Sequence, residues 1–146
     1  MKILKKYLDI SKNAQFCIIL IGSLILNGCD ISSSPEKLFL KANAERSQSN
    51  FKKAAEILRN LVNSDADQEI LVKSNLLLAE IFYHDLKDFN QAIQEYDNFC
   101  KAFPDHKNAA SSLFMQGFIY HNSLSDLQMA EKLYLKFLDE YPDHEL

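Results

Sequence analysis

The sequence predicts an all-α protein, a short right-handed superhelix of three helix-turn-helix repeats preceded by a signal-peptide helix. Three observations carry that expectation. First, "NFKKAAEILRNLV" from Asn50, "DFNQAIQEYDNFC" from Asp88 and "DLQMAEKLYLKFL" from Asp126 align at an offset of 38 residues, and fixed-period self-similarity is the mark of a repeat architecture. The alignment superposes Ala54, Ala92 and Ala130, then Leu58, Tyr96 and Tyr134, then Leu61, Phe99 and Phe137. Second, Ala92, Tyr96, Phe99 and Phe103 fall at i, i+4, i+7 and i+11, one apolar stripe on a helix. Third, the chain has only three glycines and no strand-like alternation to compete with that period.

The elements follow in order. Lys2, Lys5, Lys6 and Lys12 stand against a single Asp9, ahead of an apolar run from Phe16 to Leu26. Eleven residues are too few, since a membrane-crossing helix needs roughly 20. Small and polar Asn27 and Gly28 come next, so residues 1–28 read as a secretory signal peptide. Leu26-Asn27-Gly28-Cys29 resembles the lipobox of bacterial lipoproteins. That resemblance implies cleavage before Cys29 and a covalent lipid on its thiol, more than one acyl chain being needed for stable attachment. Residues 29–34 are then the lipidated cysteine and a polar tether, and Pro35 is a suitable helix entry. Asp30 after the cysteine would, by enterobacterial sorting logic, hold the protein at the inner membrane; other lineages do not obey that rule, so inner and outer membrane both stay open.

Removing residues 1–28 takes four Lys and one Asp from 16 basic and 20 acidic residues, leaving a formal charge of −7. Such a surface argues against nucleic acid and against electrostatic docking on anionic lipid. Of the three cysteines, Cys17 leaves with the signal and Cys29 takes the lipid. Cys100 remains alone, read as a small buried residue in "YDNFCKAF".

The repeat domain is expected over residues 35–146, in units of about 35–66, 67–104 and 105–142. First helices carry helical patterns over Leu38 to Glu45, Leu76 to Tyr83 and Phe114 to His121, with Leu38, Leu76 and Phe114 in register and Ala44, Phe82 and Tyr120 likewise. Second helices begin after the N-cap candidates Asn50, Asp88 and Asp126. Pro104 and Pro142 stop two of them. Gly117 falls where Ala79 stands in the preceding unit, and a glycine inside a helix implies close packing. The first unit has Lys41 at that place and Ala42 beside it, so it is either one residue out of phase or loosely packed.

The small residue in the first helix, "DFNQA" at the turn, the aromatics four and seven past the alanine and the final proline resemble tetratricopeptide-repeat proteins. The 38-residue unit with its "FPDH" and "YPDH" endings is similar to envelope members of Gram-negative bacteria. Two branches are close: the BamD-like lipoproteins of outer-membrane β-barrel assembly, and the YbgF/CpoB-like Tol-Pal-associated coordinators of envelope constriction. The resemblance implies a concave groove lined by first helices, with Ala42, Glu45 and Arg46 from unit one, Glu80, Tyr83 and His84 from unit two, and Phe118, His121 and Asn122 from unit three. Such a groove suits extended or helical segments of envelope partner proteins. The alternative is that Tyr83 and Phe118 fill the core between units.

Chemistry is not expected. His106 and His144 are equivalent turn positions, and His84 and His121 end first helices without an acidic partner at metal-site spacing. Asp85, Asp88, Glu95 and Asp97 read as caps and solvated faces, and no nucleophile motif or phosphate-cradling loop is present. The expectation is a non-enzymatic binder without metal or cofactor. A solenoid needs polar caps at its ends, so of Tyr134, Phe137, Leu138 and Tyr141 in the last unit some are expected to turn inward against that unit's first helix and the rest to leave apolar surface open to docking or self-association.

Overall fold

The computed structural model describes residues 34–146. The signal peptide, Cys29 and the tether up to Ser33 lie outside the described residues. Six α-helices follow one another: α1 (Pro35–Ser47), α2 (Phe51–Val62), α3 (Gln68–Glu80), α4 (Phe89–Ala102), α5 (Asn108–Asn122) and α6 (Leu127–Glu140), with a π-helical turn, Ile81–Asp85, extending α3. No strand occurs among the described residues. Each helix packs on its neighbours in the chain, and α1 also touches α3, so helix hairpins stack in sequence. The helical-repeat fold of the sequence reading is therefore present.

Caps explain where the helices start. Ser34 Oγ accepts from Lys37 N at 3.4 Å ahead of Pro35, and Asp67 Oδ1 accepts from Ile70 N at 3.0 Å, so α1 and α3 begin well before the apolar patterns at Leu38 and Leu76. Asp88 and Asp126 cap α4 and α6 as expected, through Gln91 N at 3.1 Å and Met129 N at 3.0 Å. Asn50 does not: its amide nitrogen donates to Glu45 Oε2 at 2.9 Å, and no side-chain bond caps α2.

Ser49, Lys87 and Ser125 share the left-handed region, with φ of 63°, 55° and 56°. They lie one unit apart, each just before a second helix. This left-handed residue reverses the chain in every unit, at a position where glycine is usual. The prolines act one residue upstream: Phe103 and Tyr141 have φ of −134° and −133°, as the residue before proline must leave the α region.

The 38-residue register holds through the turns but slips in the first helix of unit one. Ala42 lies eight residues before Asn50, whereas Ala79 and Gly117 lie nine before Asp88 and Asp126. Ala42 is fully buried and Lys41 exposed, so α1 is one residue out of phase rather than loosely packed. The expected matching of Ala44 with Phe82 fails for this reason, Ala44 being exposed while Phe82 is buried, whereas Leu38, Leu76 and Phe114 are all half-buried. Units two and three close their first helices alike, Leu86 N bonding Ile81 O at 2.9 Å and Leu124 N bonding Ile119 O at 3.1 Å, and in unit two the widened turn is π-helical.

One core runs from α1 to α5, through Ala42, Ala54, Leu58, Leu78, Ala79, Ile81, Ala92, Tyr96 and Ile119. A second joins Ala110, Leu113 and Phe137 with half-buried Cys100, Phe114, Leu133 and Tyr141. Cys100 is thus only partly covered, short of the full burial expected. Burial and the nearby Asp97 still push its thiol up to about 11. Gly117 does have a packing reason, because a Cβ there would lie 2.8 Å from Tyr134 Cε1.

Candidate functional site

The residues assigned to the groove sit near the C-terminal ends of α1, α3 and α5, where each first helix approaches its turn. Ala42 is not among the accessible ones; at 0 % exposure it belongs to the α1–α2 contact. Glu45 is drawn to the neighbouring helix, accepting from Lys53 Nζ at 2.7 Å and from Asn50. Those two partners, Lys53 first, hold its carboxyl below the ordinary range.

Arg46 bridges units one and two. Its Nε donates to Asp85 Oδ2 at 2.6 Å and its Nη1 to Glu80 Oε2 at 3.4 Å. Asp85 read as a solvated acid in the sequence; it is instead a partly buried carboxylate of this bridge. The π turn carries it: the widened turn places Asp85 at its last residue, a full unit from Arg46 in sequence. Glu80 stays half exposed.

Tyr83 packs edge-on to His84 at 4.5 Å between ring centres and lies 6.0 Å from Phe89, half-buried against the main core. It therefore does both things considered for it, filling the core and reaching the surface. His84 is exposed beside it.

Unit three is organised differently. Phe118 lies 6.5 Å from Phe114, and Asn122 Nδ2 donates back to Phe118 O at 3.1 Å. His121 turns toward α6, edge-on to Tyr134 at 6.4 Å, and borders a shallow cavity of about 390 Å³ with Leu127, Ala130, Glu131, Leu135 and Leu138. The structure thus brings Arg46, Glu80 and Asp85 together across units one and two, while His121 joins an apolar surface at the end of the repeat array.

The turn histidines have a structural use. His106 stands edge-on to Phe99 at 5.7 Å and its Nδ1 accepts from Asn108 N; His144 repeats both contacts with Phe137 and Leu146 N. No group of three His, Cys, Asp or Glu that could hold a metal occurs among the described residues.

Sequence reasoning missed a second polar feature. Glu95, read as solvated, is buried at 7 % exposure. It accepts from Asn98 Nδ2 at 3.1 Å and pairs with Arg59 Nη2 at 3.5 Å. Arg59 also lies over the Phe82 ring at 5.3 Å, tying α2 to α3 and α4. Arg59 lies 36 residues before Glu95, so no pattern within one helix would have shown the pair.

No helix among the described residues is long and apolar enough to cross a membrane. No curated protein matches the chain. The outer membrane lipoprotein family YfiO matches residues 32–145, the whole of the helical repeat array and most of the chain. The chain belongs to this family, and is accordingly a lipoprotein of the cell envelope.

Proposed function

We propose that this protein is a non-enzymatic, lipid-anchored adaptor that takes part in outer-membrane protein assembly by holding segments of partner proteins against its first helices. The observation that carries the reading is that the match to the outer membrane lipoprotein family spans the whole helical array. The Arg46, Glu80 and Asp85 bridge supports it by setting units one and two in a fixed relation, with exposed His84 and half-exposed Glu80 beside partly buried Tyr83. An aromatic edge beside the half-exposed Glu80 carboxylate that Arg46 holds suits a helical or extended segment carrying an apolar anchor and a polar residue. The lipid on Cys29 would keep this surface at the bilayer.

The test is in-cell cross-linking of the full-length tagged protein, with mass spectrometry of what co-purifies, against a Glu80→Arg/His84→Ala variant. His84 is exposed and Glu80 half exposed, but Glu80 also pairs with Arg46, so far-UV circular dichroism and thermal unfolding of the variant first check that the stack of units one and two survives the loss of that pair. Recovery of β-barrel assembly components, lost in the variant, is the expected result. Recovery of Tol-Pal components instead would move the protein to envelope constriction, and a partner set untouched by the variant would refute the groove.

A further inference from the structure

The repeat builds one helix-on-helix interface twice, α3 on α2 and α5 on α4. Each second helix offers two positions eleven residues apart: Phe51 and Val62 on α2, Phe89 and Cys100 on α4, Leu127 and Leu138 on α6. Phe51, Val62 and Phe89 pack against the main core, and Cys100 Sγ lies 3.5 Å from Ala109 O and 3.8 Å from Gln116 Nε2 of α5. On α6 these positions are open: Leu127 is 65 % and Leu138 59 % exposed, with Leu135 at 60 % between them.

The opposite half of this interface is open at the other end. Counted from the buried small residue of each first helix, Leu77 stands two before Ala79 and Met115 two before Gly117, and both pack in the main core. Leu40 stands two before Ala42 and is 66 % exposed. One position on, Lys41 replaces the Leu78 and Gln116 of the interior units. On α6, Glu131 replaces Ile93 of α4. Opposite charges thus stand on the two open faces where the interior interfaces are apolar or neutral.

We infer that the two faces are halves of one contact between copies of this chain, α1 of one molecule seating on α6 of the next as α3 seats on α2. The association is head-to-tail, joining different surfaces of the two copies. Lys41 and Glu131 favour that pairing and disfavour α6 against α6, which would set Glu131 near its own copy. The inference stands apart from the groove and its partners.

The test uses the full chain in detergent micelles and sedimentation equilibrium over a concentration series, with Leu40→Glu and Leu138→Arg variants. Both side chains are exposed; should either charge lower the helical circular dichroism signal, Leu40→Gln and Leu138→Gln replace them. Wild type is expected to grow beyond the dimer with concentration, and each variant alone to remain monomeric. An equal mixture of the two variants should form dimers and nothing larger, because one intact half survives on each. Association by either variant alone, a monomeric mixture, or a wild type that stays monomeric at every concentration would overturn the inference.

Discussion

Gly117 gives the sharpest stability prediction, because two effects of known sign oppose each other there. Replacing it with alanine in mid-α5 should stabilise the helix by about 1 kcal/mol through propensity alone. The added Cβ would meet Tyr134 Cε1 at 2.8 Å and Cδ1 at 2.9 Å, and Leu133 Cβ at 3.4 Å. Tyr134 cannot tilt away freely, since its ring lies 5.4 Å from Phe114 and 6.4 Å from His121. Overpacking of this kind costs about 1–3 kcal/mol, so Gly117→Ala should destabilise by about 1 kcal/mol net, or about 4 °C in Tm for a chain of this size.

Urea unfolding of the full chain, followed by far-UV circular dichroism, measures this directly. The decisive comparison is the same substitution in a Tyr134→Ala background. With the ring gone only the propensity term remains, so Gly117→Ala should there stabilise by up to about 1 kcal/mol. A substitution that destabilises equally in both backgrounds would refute the steric account; one that stabilises wild type would show that α5 and α6 move apart at little cost.

Three other outcomes follow from the same geometry. A double-mutant cycle of Arg46→Gln and Asp85→Asn should give a coupling of about 1 kcal/mol, above the usual exposed pair because both side chains are partly covered, and falling with salt. Burial raises the Tyr96 phenol to about 12, above the ordinary value near 10. The folded state therefore holds this proton longer than the unfolded chain. Its contribution is complete below pH of about 10 and is lost as pH rises through about 12, so the alkaline fall in stability should be smaller in Tyr96→Phe. Cys29→Ala should release or mislocalise the protein in cell fractionation; an equally membrane-bound and unprocessed variant would refute the lipobox reading.

The fold was legible because its period is written in side chains that must be buried. Ala54, Ala92 and Ala130 recur with aromatic or aliphatic residues four and seven places on, and all of these but half-buried Tyr134 lie in the core. The one-residue slip in α1 was visible as the displacement of Ala42 from the register, but the π turn at Ile81–Asp85 was not, being a backbone choice with no residue signature here. The left-handed turn residues were hidden likewise, since Ser49, Lys87 and Ser125 share no chemistry. The candidate site was less legible still. Arg46 was singled out, but its partner Asp85 looked like any surface acid, and Glu95 was hidden because burial of a carboxylate depends on Arg59 from another helix. Of the apolar residues at the last unit, Phe137 is the one that turns inward, to 3 % exposure, and Leu138 stays open, but Leu127 and Leu135 were not foreseen on that surface.

On the proposed adaptor reading, that contrast between turns and faces bears on how a partner segment would be oriented. The turns are built alike: the left-handed residue precedes every second helix, and the histidine against phenylalanine closes both proline endings. The faces differ from unit to unit. The seam of units one and two is ionic through Arg46, Glu80 and Asp85, whereas unit three is aromatic through Phe114, Phe118 and Tyr134. A partner segment lying along the array would therefore meet a charged stretch first and an aromatic one after. A segment with its polar residues at one end and its apolar anchors at the other would match both stretches in one direction only, because reversing it would set the apolar anchors on the Arg46–Glu80–Asp85 seam and the polar end on the rings of unit three.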